Sequence, residues 1–115
     1  MKAQFLALAA AALVVFSIPG IALANKAHGM IEKMPDKDRN TTFTAFLKNS
    51  GEDCGSVTRN FFQGFDKSRN AFWNVACSNK KSYVIMINND SVGSTKIMSC
   101  AVLKAVNAGE CFKKF

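Results

Sequence analysis

Four cysteines hold most of the chemical potential of this chain: Cys54, Cys77, Cys100 and Cys111, the first three spaced 23 residues apart. Thiols can bind metal, exchange electrons or staple a fold. Structural zinc sites present close pairs such as C-x2-C, and here 22, 22 and 10 residues separate successive cysteines. A thiol oxidoreductase needs a C-x-x-C pair, and the spacing provides none. The pattern therefore predicts two disulfides and no metal or other cofactor. Four cysteines admit three connectivities. The short intervals favour 54–77 with 100–111.

The remaining catalytic inventory is thin. His28 is the only histidine, in a polar stretch that predicts mobility, so a Ser-His-Asp arrangement has no rigid base. The carboxylates Glu32, Asp36, Asp38, Asp66, Asp90 and Glu110 fall mostly where turns or solvated surface are expected. Glu52-Asp53, beside Cys54, is the one tight acidic pair after that stretch and the only foothold for a small hydrolase or glycosidase. No glycine-rich phosphate loop occurs. The enzyme reading ranks third, with His28, Glu52 and Asp53 as its candidates.

The N-terminus predicts export. Met1-Lys2 is followed by an apolar run over residues 5–18 broken only by Ser17, then Pro19-Gly20, then Ala22-Leu23-Ala24 as a small-x-small cleavage site. The run is shorter than the roughly 20 helical residues a bilayer needs. Cleavage after Ala24, with no cysteine following it for lipid attachment, predicts a bacterial periplasmic or secreted protein. An oxidising compartment is where small domains rely on disulfides, because their cores are thin.

The formal charge is +7, or +6 once Lys2 is lost with the leader. Outside the cytoplasm a basic protein meets anionic lipid, lipopolysaccharide and acidic proteins rather than nucleic acid. The basic residues are scattered, with pairs only at Lys80-Lys81 and Lys113-Lys114. Lys113, Lys114 and Phe115 form the one basic-aromatic tail, suited at most to peripheral contact with an anionic surface, since each lysine is worth about 1 kcal/mol there. The mixed charges and the length argue against a cationic antimicrobial peptide.

These residues must be positioned by one small α+β domain over residues 41–115, behind a leader over 1–24 and a flexible lead-in over 25–40. A short helix capped by Asn40 or Thr41 would carry Phe43, Phe46 and Leu47 on one stripe and end at Gly51. Four β-rich runs follow, at residues 57–65, 71–77, 83–87 and 95–98, separated by polar clusters. They predict a four-stranded antiparallel meander, and residues 101–106 a short C-terminal helix. The interval of 23 residues then equals one hairpin, which places Cys54, Cys77 and Cys100 at a single end of the sheet.

Period-2 alternation puts Trp73, Val75, Tyr83, Ile85, Ile87 and Ile97 on one face, under the first helix. The other face would carry Phe62, Phe72, Val84, Met86 and Met98, too apolar for water. Either the C-terminal helix covers it through Val102, Leu103 and Val106, or it is a partner-binding face.

The stretch Ala71-Phe72-Trp73-Asn74-Val75-Ala76-Cys77, with Ser82-Tyr83-Val84-Ile85, Gly93-Ser94-Thr95-Lys96 and Cys100, resembles short exported proteins of Gram-negative bacteria. The resemblance implies a bacterial, exported protein and brings no activity or site with it. The expectation that follows is a non-catalytic binding or structural module engaging a protein or envelope component. The alternative is a secreted inhibitor or effector with an acidic partner, since bridged domains lose little entropy on binding. A basic target such as lysozyme would be repelled.

Overall fold

The structure, a computed structural model, describes residues 25–115. The leader and its cleavage site lie outside the described residues. Three helices and four strands follow in the order α1 (Lys26–Glu32), α2 (Asp36–Asn49), β1 (Val57–Phe65), β2 (Ala71–Cys77), β3 (Ser82–Ile87), β4 (Thr95–Ser99) and α3 (Cys100–Ala105). The strands form one antiparallel sheet in the order β1-β2-β3-β4, the expected meander in an α+β fold.

The hairpins organise the sheet into two ends. The β2–β3 turn lies at one end with all four cysteines, bonded Cys54–Cys77 and Cys100–Cys111. The β1–β2 and β3–β4 turns lie at the other. There Asp66 accepts from the backbone N–H groups of Ser68 and Asn70, and Asp90 does the same for Val92 and Ser94. Such Asx contacts give a turn its own hydrogen bonds.

Trp73, Val75, Tyr83, Ile85 and Ile87 line the helix-covered face with Phe43 and Leu47 of α2, all buried. Each such side chain contributes about 1.5–3 kcal/mol relative to exposure. Helix α2 begins at Asp36 after Pro35, its N-cap, about one and a half turns before the predicted cap at Asn40 or Thr41. Proline cannot continue a helix backwards, and Asp36 and Asp38 suit the positive end of its dipole.

Residues 25–40 are no flexible lead-in. Asn25 caps α1, its side-chain oxygen accepting from the N–H of His28 while its amide donates to the carbonyls of Arg69 and Ile87. Ile31 and His28 are buried against the sheet. Seven residues would not hold a helix alone; these tertiary bonds do. Gly93, in the left-handed region at φ +62°, lets the β3–β4 turn approach α1, since a Cβ there would stand 2.5 Å from that of Ala27.

The second face departs from strict alternation. Phe62 sits opposite Trp73 in the β1–β2 register, and a bulge separates it from Gly64. It therefore belongs to the helix-covered face, packing against Trp73 at 5.1 Å between ring centroids, and not with Phe72. The inserted residue, Gln63, takes the place expected for it.

Candidate functional site

The residues singled out from the sequence do not assemble into a reactive centre. His28 is buried at the turn end, its ring 4.5 Å from that of Phe62 and 4.9 Å from that of Phe65. Its Nδ1 accepts from the Trp73 indole N–H at 3.0 Å, and its Nε2 stands 3.6 Å from Glu32 Oε2. That geometry fixes the neutral tautomer with its proton on Nε2. Burial, reinforced by the positive charge of Arg69, pulls its pKa below the ordinary 6.5; Glu32 opposes this through its charge and hydrogen bond.

Glu52 and Asp53 lie at the cysteine end, away from His28. The backbone oxygen of Asp53 accepts from Tyr83 Oη and from Asn79 Nδ2, while its carboxylate pairs with Lys81 at 3.6 Å. Among the described residues no group of three or more His, Cys, Asp or Glu could hold a metal ion. The four cysteines are all bonded, so their chemistry is structural.

The expected partner face is largely closed by the chain itself. Leu103 of α3 is buried, as is Val84, while Val102 and Val106 turn outward. The closure continues through two buried amides that alternation did not reveal. Asn74 donates to Gln63 Oε1 and accepts from the N–H of Phe112 at 2.7 Å. Gln63 Nε2 donates to the carbonyls of Glu110 and Lys113. The pair clamps residues 110–113 onto the sheet, leaving Phe72, Met86 and Met98 half-buried. A polar residue inside an otherwise apolar stretch of each strand, Gln63 in β1 and Asn74 in β2, is the available signal.

The basic tail folds back around the outer edge of β1. The N–H of Phe115 donates to Gln63 O at 3.2 Å, and its ring packs edge-on to Phe72 at 5.2 Å. Gly64, at φ +141°, leaves room for that ring, which would stand 3.0 Å from a Cβ there. Lys114 Nζ lies 4.6 Å from the Phe62 ring centroid, and Lys113 pairs with Glu110 at 3.2 Å. At its other end β1 is engaged as well, the N–H of Val57 donating to Thr44 Oγ1.

The opposite edge, β4, has no such cover among the described residues. The N–H of Asn88 donates to Ser94 O at 2.8 Å, and the register continues through Met86↔Lys96 and Val84↔Met98. Antiparallel ladders alternate bonded and non-bonded pairs, so the N–H and C=O groups of Thr95 and Ile97, and the N–H of Ser99, point away from β3. Thr95 and Lys96 are exposed. Exposed Val92 and Met30 share a shallow groove with Lys26 beside Gly93, where β4 begins. Lys80 and Lys81 line a second groove, of about 340 Å³, with Ser99 and Ala101, where it ends. A further groove of about 480 Å³ between α2 and the start of β1 carries Lys37 and Lys48, but its Thr41 and Thr44 hydroxyls already bond within the helix.

Comparison with protein-family models, with curated proteins and with solved structures finds no match to this chain. The described residues include no helix long and apolar enough to cross a membrane.

Proposed function

We propose that the chain is an exported, non-catalytic binding module of the periplasm or medium that engages a protein or envelope component. The observation that supports this best is the contrast between a β1 edge that the chain itself engages near both ends and a β4 edge that it does not. One bridge closes the β1–β2 hairpin and the other ties the residue that follows β4 to the C-terminal segment, which lowers the ordering cost of binding. Export is supported by the disulfides and by Asn25, which directly follows Ala22-Leu23-Ala24 and opens the described fold with three side-chain hydrogen bonds. A cut after Ala24 leaves every described element intact.

Intact mass of the chain recovered from the periplasm or medium tests the export half. The expected mass is that of residues 25–115, with four hydrogens gained on reduction. Pull-down from an envelope extract tests the binding half, with a retained component expected. A purified chain that turns over a substrate and retains nothing would sink it. An inhibitor or effector with an acidic partner is the second reading, favoured by the lysines around β4. Its binding should weaken as salt rises.

A further inference from the structure

We propose that the outer edge of β4 takes an extended acidic segment of a partner protein as a fifth strand, an inference that rests on the binding reading above. The backbone supplies the recognition. Thr95 and Ile97 offer two donor-acceptor pairs and Ser99 one more donor, the template that strand addition uses. The molecule treats its two edges differently: β1 is engaged by Thr44 at one end and Phe115 at the other, whereas β4 is left with unpaired groups. Unprotected edges invite pairing unless a charge repels it, and the charge present is that of Lys96, the second residue of the strand.

Lys96 selects the occupant. A second copy pairing antiparallel about Ile97 would bring two Lys96 side chains to diagonal positions on one face, with six net positive charges on each mature chain, so the edge rejects itself. An acidic strand reverses that sign. It meets Lys26 beside the start of β4, Lys96 within the strand, and Lys80 at its end. The local carboxylates offset part of this charge, Asp90 accepting from the N–H groups of Val92 and Ser94 near the start of β4 and Asp53 pairing with Lys81, which leaves Lys96 as the charge on the strand itself. Alternation sets the sequence of the incoming segment: a carboxylate opposite Lys96, with apolar or β-branched residues opposite Thr95 and Ile97, whose face continues toward exposed Val92 and Met30. A strand of five residues asks for a segment of similar length.

The probe is a capped Glu-Val-Glu-Val-Glu-Val peptide, with its Lys-Val counterpart as control, titrated into the isotope-labelled mature protein. The expected result is slowed exchange and shifted resonances at the amides of Thr95, Ile97 and Ser99, for the acidic peptide only. Affinity should fall roughly tenfold between about 20 and about 300 mM salt. Thr95→Pro removes one outward donor while sparing the β3–β4 ladder, and roughly tenfold weaker binding is expected. Lys96→Glu, at an exposed position, should exchange the preference from the Glu-Val to the Lys-Val peptide; thermal unfolding verifies that both variants stay folded. Peptide effects that map elsewhere, or no binding of either peptide, would overturn the proposal. So would protection of the β4 amides that grows with protein concentration in the absence of peptide, which assigns the edge to a second copy. A partner that binds wild type and both variants alike, away from β4, would remove the edge assignment and leave the binding reading standing. Turnover of a substrate would remove the binding reading itself.

Discussion

The two ends of the sheet are held by different physics. At the cysteine end, Cys54–Cys77 and Cys100–Cys111 close intervals of 23 and 11 residues covalently. At the turn end, α1 is held by Asn25, His28 and the rings around them, with no covalent bond. A disulfide acts mainly by limiting the unfolded chain and is indifferent to the acidity of the medium over the ordinary range. A buried hydrogen bond depends on the protonation and solvation of its partners. The cysteine end should therefore respond to redox conditions and the turn end to pH.

The sharpest way to break this contrast is the double variant Cys54→Ala/Cys77→Ala. Loop-closure entropy for its interval predicts a loss of about 3 kcal/mol, read as a lower urea midpoint. Removal of Cys100–Cys111 costs a similar amount by the same estimate. It should also speed amide exchange across α3 and the tail while β1 to β3 stay protected. Next comes Asn25→Ala, which removes the α1 cap and the amide that bonds the carbonyls of Arg69 and Ile87. A loss of about 2 kcal/mol is expected, with amide exchange in α1 accelerating before the sheet is affected.

The smallest effect sharpens the comparison most. The folded-state pKa of His28 lies below its ordinary 6.5, so the unfolded chain binds this proton more readily. The stabilisation is complete above about 6.5 and drains away as pH falls from there through the folded value. Protonated Nδ1 would also face the indole N–H donor of Trp73 instead of accepting from it. The urea midpoint of the wild type should fall between pH of about 7.5 and about 5. His28→Phe should be less stable at neutral pH by about 1 to 2 kcal/mol, because the Trp73 N–H loses its acceptor, yet flat across that window. A slope that survives in His28→Phe would assign the acid response elsewhere.

Much of this architecture is legible residue by residue, and the failures have specific causes. Polar clusters such as Asp66 to Asn70 mark the turns because their side chains bond their own backbone, so strand boundaries follow from composition. The hairpin length written into the cysteine spacing places three of them at one end. Helix α1 is hidden because its stability comes from Asn25 and His28 reaching distant partners, which leaves no apolar stripe to read. Phe62 is assigned to the wrong face because a bulge after it shifts the alternation by one residue. The cover over the second face is legible only in part: hydrophobic pattern points to Leu103, which is buried, and equally to Val102 and Val106, which are exposed, while Gln63 and Asn74 hold the C-terminal segment through amides. The open edge of β4 is invisible in composition, since it is a property of backbone groups that every residue carries.

The pairing of the cysteines has a consequence for how the molecule is made. Each bridge joins neighbours in the order of the chain, first with second and third with fourth. For a polypeptide that enters an oxidising compartment N-terminus first, the first thiol to emerge meets its proper mate before either later thiol is available. An oxidase acting on each pair as it appears would arrive at the native set directly, and this protein should mature in cells that lack a disulfide isomerase.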